Sequence, residues 1–352
     1  MTLDCDRSLL AVGADVLVRD FMCVTRGESV VITTDCAGDM LGVQAVFDAA
    51  RVQGAKPTIL LVPQMPYQGA LADPFIPEPV AAAVKNCDVW IDMAFPYMAG
   101  SKAHAEAMKT ERVRSLQLAD LGAGGIERLY GHVDLDLLFE LQQSLDAVIG
   151  NATGKTCRVT NEKGTDVSFK IAKPATKKLR RTNVPGTYTP PGSAVIYPDK
   201  DTVKGTVVID ATFHEYHTLL KSPITLEIDG KIRNVSGGGT DRRVLERALK
   251  RAGGGEYGSI IHFSHGFHPA ARLAGRSFIE DIRVAGNSAI GFGIPWWEPG
   301  GGENHPDGVV TMQSLSIEGD EIIRDGAIVA PAIARQLEQE LQANLRKGPR
   351  GS

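Results

Sequence analysis

Short apolar runs alternate with helical patterns along the first 150 residues, and this alternation limits the possible folds most strongly. Strands are predicted at residues 30–33, 57–62, 89–93 and 113–118, and helices at 8–24, 43–53, 79–85, 103–109 and 134–148. Such alternation favours a parallel sheet covered by helices. The nearly continuous apolar run at 58–62 is typical of a strand buried on both faces. We therefore predict a Rossmann-like α/β domain with a parallel sheet over residues 1–150.

From about residue 151 the pattern changes to pairs of short strands joined by tight turns. The predicted hairpins are 158–160 with 167–171, 225–228 with 231–235, and 314–317 with 321–324, with a further strand at 206–210. Asp229-Gly230 is a favoured pair for a two-residue hairpin turn. Helices are predicted at 241–251, with Asp241 as the N-cap, and at 330–345. We predict an α+β domain with mixed or antiparallel sheets over residues 151–347.

Charge and composition exclude several classes of partner. The chain has 38 basic and 42 acidic residues and a net charge of −4, which gives no electrostatic reason to expect nucleic acid. No apolar stretch approaches the roughly 20 residues that cross a bilayer, and the first residues do not resemble a signal peptide. The five scattered cysteines form no C-x-x-C pair. We expect a cytoplasmic protein that binds neither nucleic acid nor membranes.

Two histidine-containing stretches in the second half carry the candidate chemistry. His262, His265 and His268 are spaced three apart behind an apolar run, and His305-Pro306-Asp307 follows a glycine-rich segment. In an extended chain His305 and Asp307 lie on one face. Two imidazoles and one carboxylate are the ligand set of a mononuclear metal site with open positions.

The residues alone leave open which histidine would join His305 and Asp307. His262 and His268 share one face of an extended strand, and His265 lies on the other.

Several motifs occur in an order that resembles one superfamily. They are Asn183-Val-Pro-Gly, Ala194-Val-Ile-Tyr-Pro, Lys204-Gly-Thr-Val-Val-Ile-Asp, the stretch at 262–271, and His305-x-Asp307. The superfamily contains the aminopeptidase T and aminopeptidase S metallopeptidases and the 2,5-dihydroxypyridine 5,6-dioxygenases. The resemblance covers most of residues 180–331 and, more loosely, the α/β half.

The resemblance is closer to the dioxygenase branch, because three of the five peptidase ligands are missing. This chain has His262 in place of one peptidase glutamate and the segment Gly186-Thr187-Tyr188 in place of the other. The peptidase histidine falls at about Gly293. The dioxygenases hold one ferrous ion with two histidines and an aspartate, which match His262, His305 and Asp307. The resemblance therefore implies a mononuclear non-haem Fe(II) dioxygenase that uses O2 to open a hydroxypyridine-like or related aromatic ring.

One departure from that family concerns proton transfer. The dioxygenases carry an acid/base histidine in the loop after the third strand, whereas residues 94–100 contain none and His104 follows on the next predicted helix. The candidate catalytic replacements are His265, His268, His214 and Tyr97. Hydrogen-bonded loop histidines and a surface histidine are the alternative interpretations of the first three.

Aromatic and cationic residues supply the substrate-binding candidates. Trp296 and Trp297, together with Tyr97, would stack on a ring, with core packing as the alternative. Arg276 or Arg283 would hold an anionic ring substituent, with a solvated surface arginine as the alternative.

Two other functions remain open at this stage. A metal-dependent hydrolase, similar to an amidohydrolase or aminopeptidase, would use the same three ligands on Zn²⁺ or Mn²⁺, with Glu298, Glu303 or His265 as general base. A non-catalytic protein that binds small molecules is the third. For assembly we expect a homo-oligomer in which the Pro- and Gly-rich loops 185–193 and 295–304 act as lids and a neighbouring subunit covers part of the site.

Overall fold

The computed structural model describes residues 5–173, 181–214, 216–294, 298 and 305–345. The chain forms two compact units. The first unit contains the described residues of Met1–Leu135, Lys178–Pro190 and Asn344–Ser352, and the second contains those of Asp136–Lys177 and Pro191–Ala343.

The strands, in chain order, are β1 (Ser29–Asp35), β2 (Lys56–Val62), β3 (Val89–Met93), β4 (Arg114–Gln117), β5 (Thr156–Thr160), β6 (Asp166–Lys170), β7 (Gly186–Tyr188), β8 (Ser193–Ile196), β9 (Lys204–Ile209), β10 (Ile224–Asp229), β11 (Lys231–Gly237), β12 (Ser259–Gly266), β13 (Ser288–Gly293), β14 (Asp307–Val310), β15 (Ser314–Ile317), β16 (Asp320–Arg324) and β17 (Ala327–Ile328). The α-helices are α1 (Arg7–Asp15), α2 (Met40–Val52), α3 (Glu78–Lys85), α4 (Lys102–Met108), α5 (Ala123–Ile126), α6 (Leu135–Gly150), α7 (Asp241–Ala252), α8 (Phe278–Asp281) and α9 (Ala332–Ala343). Among these helices and the chain segments that the structure describes, none is both long and apolar enough to cross a membrane.

The first unit is built on a five-stranded parallel sheet with the order β2-β1-β3-β4-β7, as the alternating pattern predicted. Side-chain caps fix the starts of its first two helices. Asp6 accepts the backbone N–H groups of Ser8 and Leu9 at α1, and Asp39 accepts that of Leu41 at α2. The helix predicted at 8–24 continues beyond α1 as a π-helical segment, Val16–Phe21.

The prediction that residues 58–62 form a strand buried on both faces is wrong. β2 is the edge strand of the sheet, and within the described chain it pairs only with β1. Leu61 is 62% exposed. An apolar run predicts a strand, but it does not show whether the strand lies at the edge or in the interior of its sheet. The position in the sheet depends on which other strands pair with it.

The second unit contains two antiparallel sheets. One has eight strands in the order β11-β10-β9-β6-β5-β15-β16-β17, and the other has four in the order β14-β13-β12-β8. The three predicted hairpins are confirmed as β5–β6, β10–β11 and β15–β16. The sheets share one apolar core, in which Phe169 of β6 stacks on Phe263 of β12 with ring centroids 4.4 Å apart.

Two helix ends and one loop differ from the prediction. Thr240, not Asp241, is the N-cap of α7, and Asp241 is the first helical residue, where its charge favours the positive end of the helix dipole. The terminal helix α9 begins only after Pro331. Residues 185–193 were expected to be a loop, but Gly186–Tyr188 form β7, because this segment pairs with β4. Except for Glu298, the loop 295–304 lies outside the described residues.

Candidate metal centre

Three neighbouring strands of the four-stranded sheet place His262 and Asp307 on either side of one glycine. His262 on β12 pairs with Gly291 on β13, and Gly291 pairs with Asp307 on β14. Directly opposed residues of antiparallel strands point to the same face of the sheet. The two side chains therefore project from the same row of the sheet.

A β-bulge brings His262 to that face. Ile260 pairs with Phe292, but the next pair along the strands is His262 with Gly291, so Ile261 is an extra residue on β12. Ile260 and Phe292 both belong to the apolar core between the sheets. In a regular strand His262 would share the core-facing side of Ile260, because side chains alternate with period two. The bulge reverses this alternation, a use of bulges that is common next to active sites.

His305 joins the other two side chains from the segment just before β14. The backbone carbonyl of Pro306 accepts a hydrogen bond of 2.9 Å from the N–H of Phe292, which fixes this segment against β13. The Nε2 atoms of His262 and His305 are 3.0 Å apart. Oδ1 of Asp307 is 2.9 Å from His305 Nε2 and 3.5 Å from His262 Nε2.

These distances fit three ligands of a single metal ion. Bond lengths of roughly 2.0–2.2 Å place adjacent donor atoms about 2.8–3.1 Å apart in an octahedral site and about 3.3–3.6 Å apart in a tetrahedral one. The three observed separations fall within these ranges, and the three side chains form a group among the described residues that could hold a metal ion. The side chains of His262 and His305 remain 17% and 18% exposed, so the site is not closed off from solvent.

Asp307 is held as a carboxylate by its neighbours, and its backbone carbonyl is hydrogen-bonded. Burial by itself would raise the pKa of this carboxyl, but the charges and hydrogen bonds of His262 and His305 outweigh burial and hold the pKa well below its usual value. The backbone N–H of His214 donates to the Asp307 carbonyl at 2.8 Å. On the same face of β14, Val309 packs against Ala211 and Phe278 and forms an apolar border beside the carboxylate.

Comparison with known proteins agrees with this geometry. Residues 18–330 match the family model NicX, described as 2,5-dihydroxypyridine 5,6-dioxygenase. The chain belongs to this family.

Two solved structures share the fold of this dioxygenase family member. The 2,5-dihydroxypyridine dioxygenase of Pseudomonas putida KT2440 is 18% identical with a TM-score of 0.73, covering 94% of this chain and 100% of that one. Wild-type AmpT of Thermus thermophilus is 15% identical with a TM-score of 0.64, covering 92% of this chain and 100% of that one. No curated protein sequence gives a significant match.

His265, a predicted catalytic residue of this family member, is buried on β12. Its Nδ1 contacts the side-chain amide of Gln313, and the ring borders a small cavity whose lining is otherwise apolar. Desolvation lowers its pKa to about 4, although the contact with Gln313 opposes this shift. Such an environment suits a neutral histidine that is held in the core.

His268 and His214 are also buried, each against a different segment. His268 lies two residues beyond the end of β12, close to Gly192: a Cβ atom added to Gly192 would be 2.8 Å from the Cβ of His268. The Nδ1 of His268 accepts the N–H of Ala270 at 3.3 Å. The ring of His214 packs edge-on against Phe278, with centroids 4.8 Å apart. His214 contacts a candidate ligand through its backbone, because its N–H donates to the Asp307 carbonyl.

The two predicted anion-binding arginines differ in exposure. Arg276 is exposed, whereas Arg283 is 1% exposed and its guanidinium donates to the carbonyl of Ile279. The backbone carbonyl of Arg283 accepts the N–H of His268 at 2.9 Å. Arg283 therefore holds the segment around α8 in place.

Trp296 and Trp297, the predicted stacking residues, lie outside the described residues.

In the first unit, two buried carboxylates fix the loop that follows β3. Asp92 accepts the backbone N–H groups of Ala94 and Met98, and Asp35 accepts that of Phe95. Tyr97 lies in this loop and is half-buried.

His104 lies on α4, as predicted, and not in that loop. Its Nε2 is 2.9 Å from Oγ1 of Thr187, and desolvation lowers its pKa to about 4.

Gly291 and the bulge at Ile261 were not identified as site features from the sequence. The glycine within the strand pattern was a usable signal, since glycine inside a strand often marks a close approach of another group. The bulge has no comparable signal, because an extra apolar residue in an apolar run does not change the pattern.

Proposed function

We propose that this protein is a mononuclear non-haem Fe(II) dioxygenase that opens a hydroxylated N-heterocycle, or a related aromatic ring, with His262, His305 and Asp307 as its metal ligands. The observation that carries the proposal is the convergence of two imidazole nitrogens and one carboxylate oxygen within 2.9–3.5 Å of one another. Membership of the 2,5-dihydroxypyridine 5,6-dioxygenase family supports the ring-cleaving reaction.

A ferrous ion in such a site supplies open positions at which a substrate and O2 bind together. His262 and His305 bind it as neutral rings, and Asp307 supplies one negative charge. The protein therefore leaves one net positive charge on a bound dication. This remaining charge favours a substrate that presents an ionised ring oxygen over one that presents a neutral group.

The backbone around the ligands keeps them in place. The His214 N–H fixes the Asp307 carbonyl, and the Pro306 carbonyl fixes the segment that carries His305. The Asp210 carboxylate accepts both the N–H and the hydroxyl of Thr311, just after β14. Ligands that are preorganised in this way lose little conformational freedom when a metal binds.

The hydrolase alternative, with Zn²⁺ or Mn²⁺ on the same ligands, needs a general base. Both carboxylate oxygens of Glu298 contact the Lys200 ammonium, at 2.6 and 2.7 Å, so this candidate is held in an ion pair. Glu303 lies outside the described residues, and His265 is buried with a pKa of about 4. These contacts favour the dioxygenase.

The test is anaerobic loading of purified protein with Fe(II), Mn(II) or Zn(II), followed by metal analysis and oxygen-electrode recordings with hydroxylated ring substrates. We expect one metal per chain and oxygen uptake only with Fe(II). Two metals per chain, or hydrolysis of an amide or lactam without oxygen uptake, would contradict the proposal and support the hydrolase.

A further inference from the structure

We propose that Gly291 is a positioning residue of the metal centre, because its missing side chain keeps open the space into which the two imidazoles converge. This inference rests on the proposed function, since it assumes that His262, His305 and Asp307 hold a metal.

The space above Gly291 is the space between the ring nitrogens. A Cβ atom added to Gly291 would be 2.5 Å from Nε2 of His262 and 2.6 Å from Nε2 of His305, with Cδ2 of His262 at 2.7 Å. Carbon atoms prefer non-bonded neighbours at about 3.5–4.0 Å. The direction in which a side chain would leave Gly291 therefore points to the place where both nitrogens would meet an ion.

The backbone does not explain a glycine at this position. Gly293, two residues later, has a φ of +117°, which L-residues rarely adopt, whereas Gly291 does not have a positive φ. β13 is also an interior strand, between β14 and β12. Glycine weakens an interior strand and commonly marks a close approach of another group. At Gly291 that close approach is made by the two histidines.

The neighbouring row of the sheet has a side chain at the position equivalent to Gly291. Two residues away on the same face of β13, Ala289 carries a methyl group between Ser264 on β12 and Val309 on β14. Ala289 is completely buried. The sheet therefore accepts a small side chain at the centre of a row, and the difference at Gly291 is the pair of imidazoles.

The glycine also limits how many ligands the sheet supplies. His262 and Asp307 are donors from the outer strands of the row, and the middle strand contributes none. With His305 the protein offers three donors from this group. Because Gly291 adds no donor, an ion held by these three residues would keep coordination positions for exogenous ligands.

The experiment compares Gly291→Ala with Gly308→Ala. A Cβ at Gly308 would meet the flexible Ile209 side chain, with Cδ1 at 2.4 Å, on the core side of the sheet. Gly308→Ala therefore makes the same chemical change in the adjacent strand without touching the ring nitrogens. Metal content after anaerobic loading with Fe(II), and Mn(II) affinity by calorimetry, are measured for wild type, both variants, and His262→Ala.

We expect Gly291→Ala to remain folded by circular dichroism and to lose about 100-fold or more in Mn(II) affinity, because outer-shell changes alone cost about 10–100-fold. Gly308→Ala should keep one metal per chain. If wild type binds one metal, His262→Ala binds none and Gly291→Ala still binds one with unchanged affinity, this inference fails and the metal centre stands. If wild type binds no metal, the proposed function fails with it.

A folding defect in Gly291→Ala is resolved by a triple variant. The added methyl would meet the rings of both His262 and His305, so His262→Ala together with His305→Ala in the same chain should remove most of the lost stability. If the loss is the same with and without these two rings, the methyl meets something else and the inference is overturned.

Discussion

At the scale of single residues, Asp307 supplies the negative charge of the centre. Asp307→Asn keeps the size of the side chain but removes that charge. We expect it to weaken metal affinity by at least about 100-fold, since even outer-shell changes cost about 10–100-fold. Glu298→Gln is the matched control, because Glu298 is in the same unit but paired with Lys200. Metal analysis after anaerobic loading checks both, and equal occupancy in wild type and Asp307→Asn would contradict the ligand assignment.

A second residue, Asp92, makes stability depend on pH in the first unit. Desolvation raises its pKa to about 6 in the folded protein, above the ordinary value of 3.8, although three hydrogen bonds oppose the shift. Between these values the folded state holds more protons than the unfolded chain. The contribution of Asp92 to the free energy of unfolding therefore falls as pH rises from about 4 to 6. A shift of about two pKa units corresponds to about 3 kcal/mol.

Asp92→Asn removes this titration. The free energy of unfolding of wild type minus that of Asp92→Asn should therefore fall by about 3 kcal/mol between pH 4 and pH 7. Urea unfolding at four pH values measures it. Asp88→Asn is the control, because hydrogen bonds from Ser29 overcome burial and lower the pKa of Asp88, so its effect lies below pH 4. A constant difference for Asp92→Asn across this range would show that Asp92 does not titrate there.

At the scale of elements, β12 presents two histidines to opposite faces. His262 faces the candidate centre, and His265 faces a cavity with an otherwise apolar lining. His265→Leu should therefore keep metal occupancy, whereas His262→Leu should lose it. Retained occupancy in both variants, or loss in both, would contradict this division of the strand.

The same His265→Leu variant should resist acid better than wild type. The pKa of His265 is lowered from 6.5 to about 4, mainly by desolvation, so the unfolded chain takes up a proton before the folded one does. Its contribution to stability is present above pH 6.5 and is lost as pH falls towards 4, by about 3 kcal/mol. Urea unfolding midpoints of wild type and His265→Leu at pH 7 and pH 4.5 test this. An equal loss of stability in both proteins between the two pH values would contradict the prediction.

The elements that sequence reasoning predicted well are those set by local patterns. The hairpin at Asp229-Gly230 follows from turn chemistry, and β3 was predicted with the same bounds as observed. The elements that it missed depend on distant partners. The edge position of β2 depends on which strands are present beside it, and the bulge at Ile261 depends on the register with β13.

The candidate centre was predictable only in part for the same reason. His305-x-Asp307 follows from extended geometry, and the choice of His262 came from family resemblance. The alignment of His262, Gly291 and Asp307 across β12, β13 and β14 depends on how these three strands pair, and local sequence does not specify that pairing.

At the scale of the whole molecule, the fold is retained at low sequence identity, while one loop lacks a residue that the family resemblance led us to expect. The TM-score to the Pseudomonas putida enzyme is 0.73 at 18% identity. The resemblance implied an acid/base histidine in the loop after the third strand, and residues 94–100 contain no histidine. His104 does not offer an obvious substitute, because its Nε2 contacts Thr187 and its Nδ1 lies 3.4 Å from the Gly100 N–H.

The last prediction follows from this missing group. General acid–base help contributes typically about 10²–10⁴-fold, or about 3–5 kcal/mol of barrier. We therefore expect weak or no turnover of 2,5-dihydroxypyridine and a better substrate among other hydroxylated rings. The assay is oxygen uptake by Fe(II)-loaded protein with hydroxypyridines, hydroxypicolinates, and aminophenol- or gentisate-like acids. Asp307→Asn serves as the control for uptake that does not depend on the centre. Fast cleavage of 2,5-dihydroxypyridine would mean that another group, such as Tyr97, supplies the proton, and Tyr97→Phe would then lower that rate.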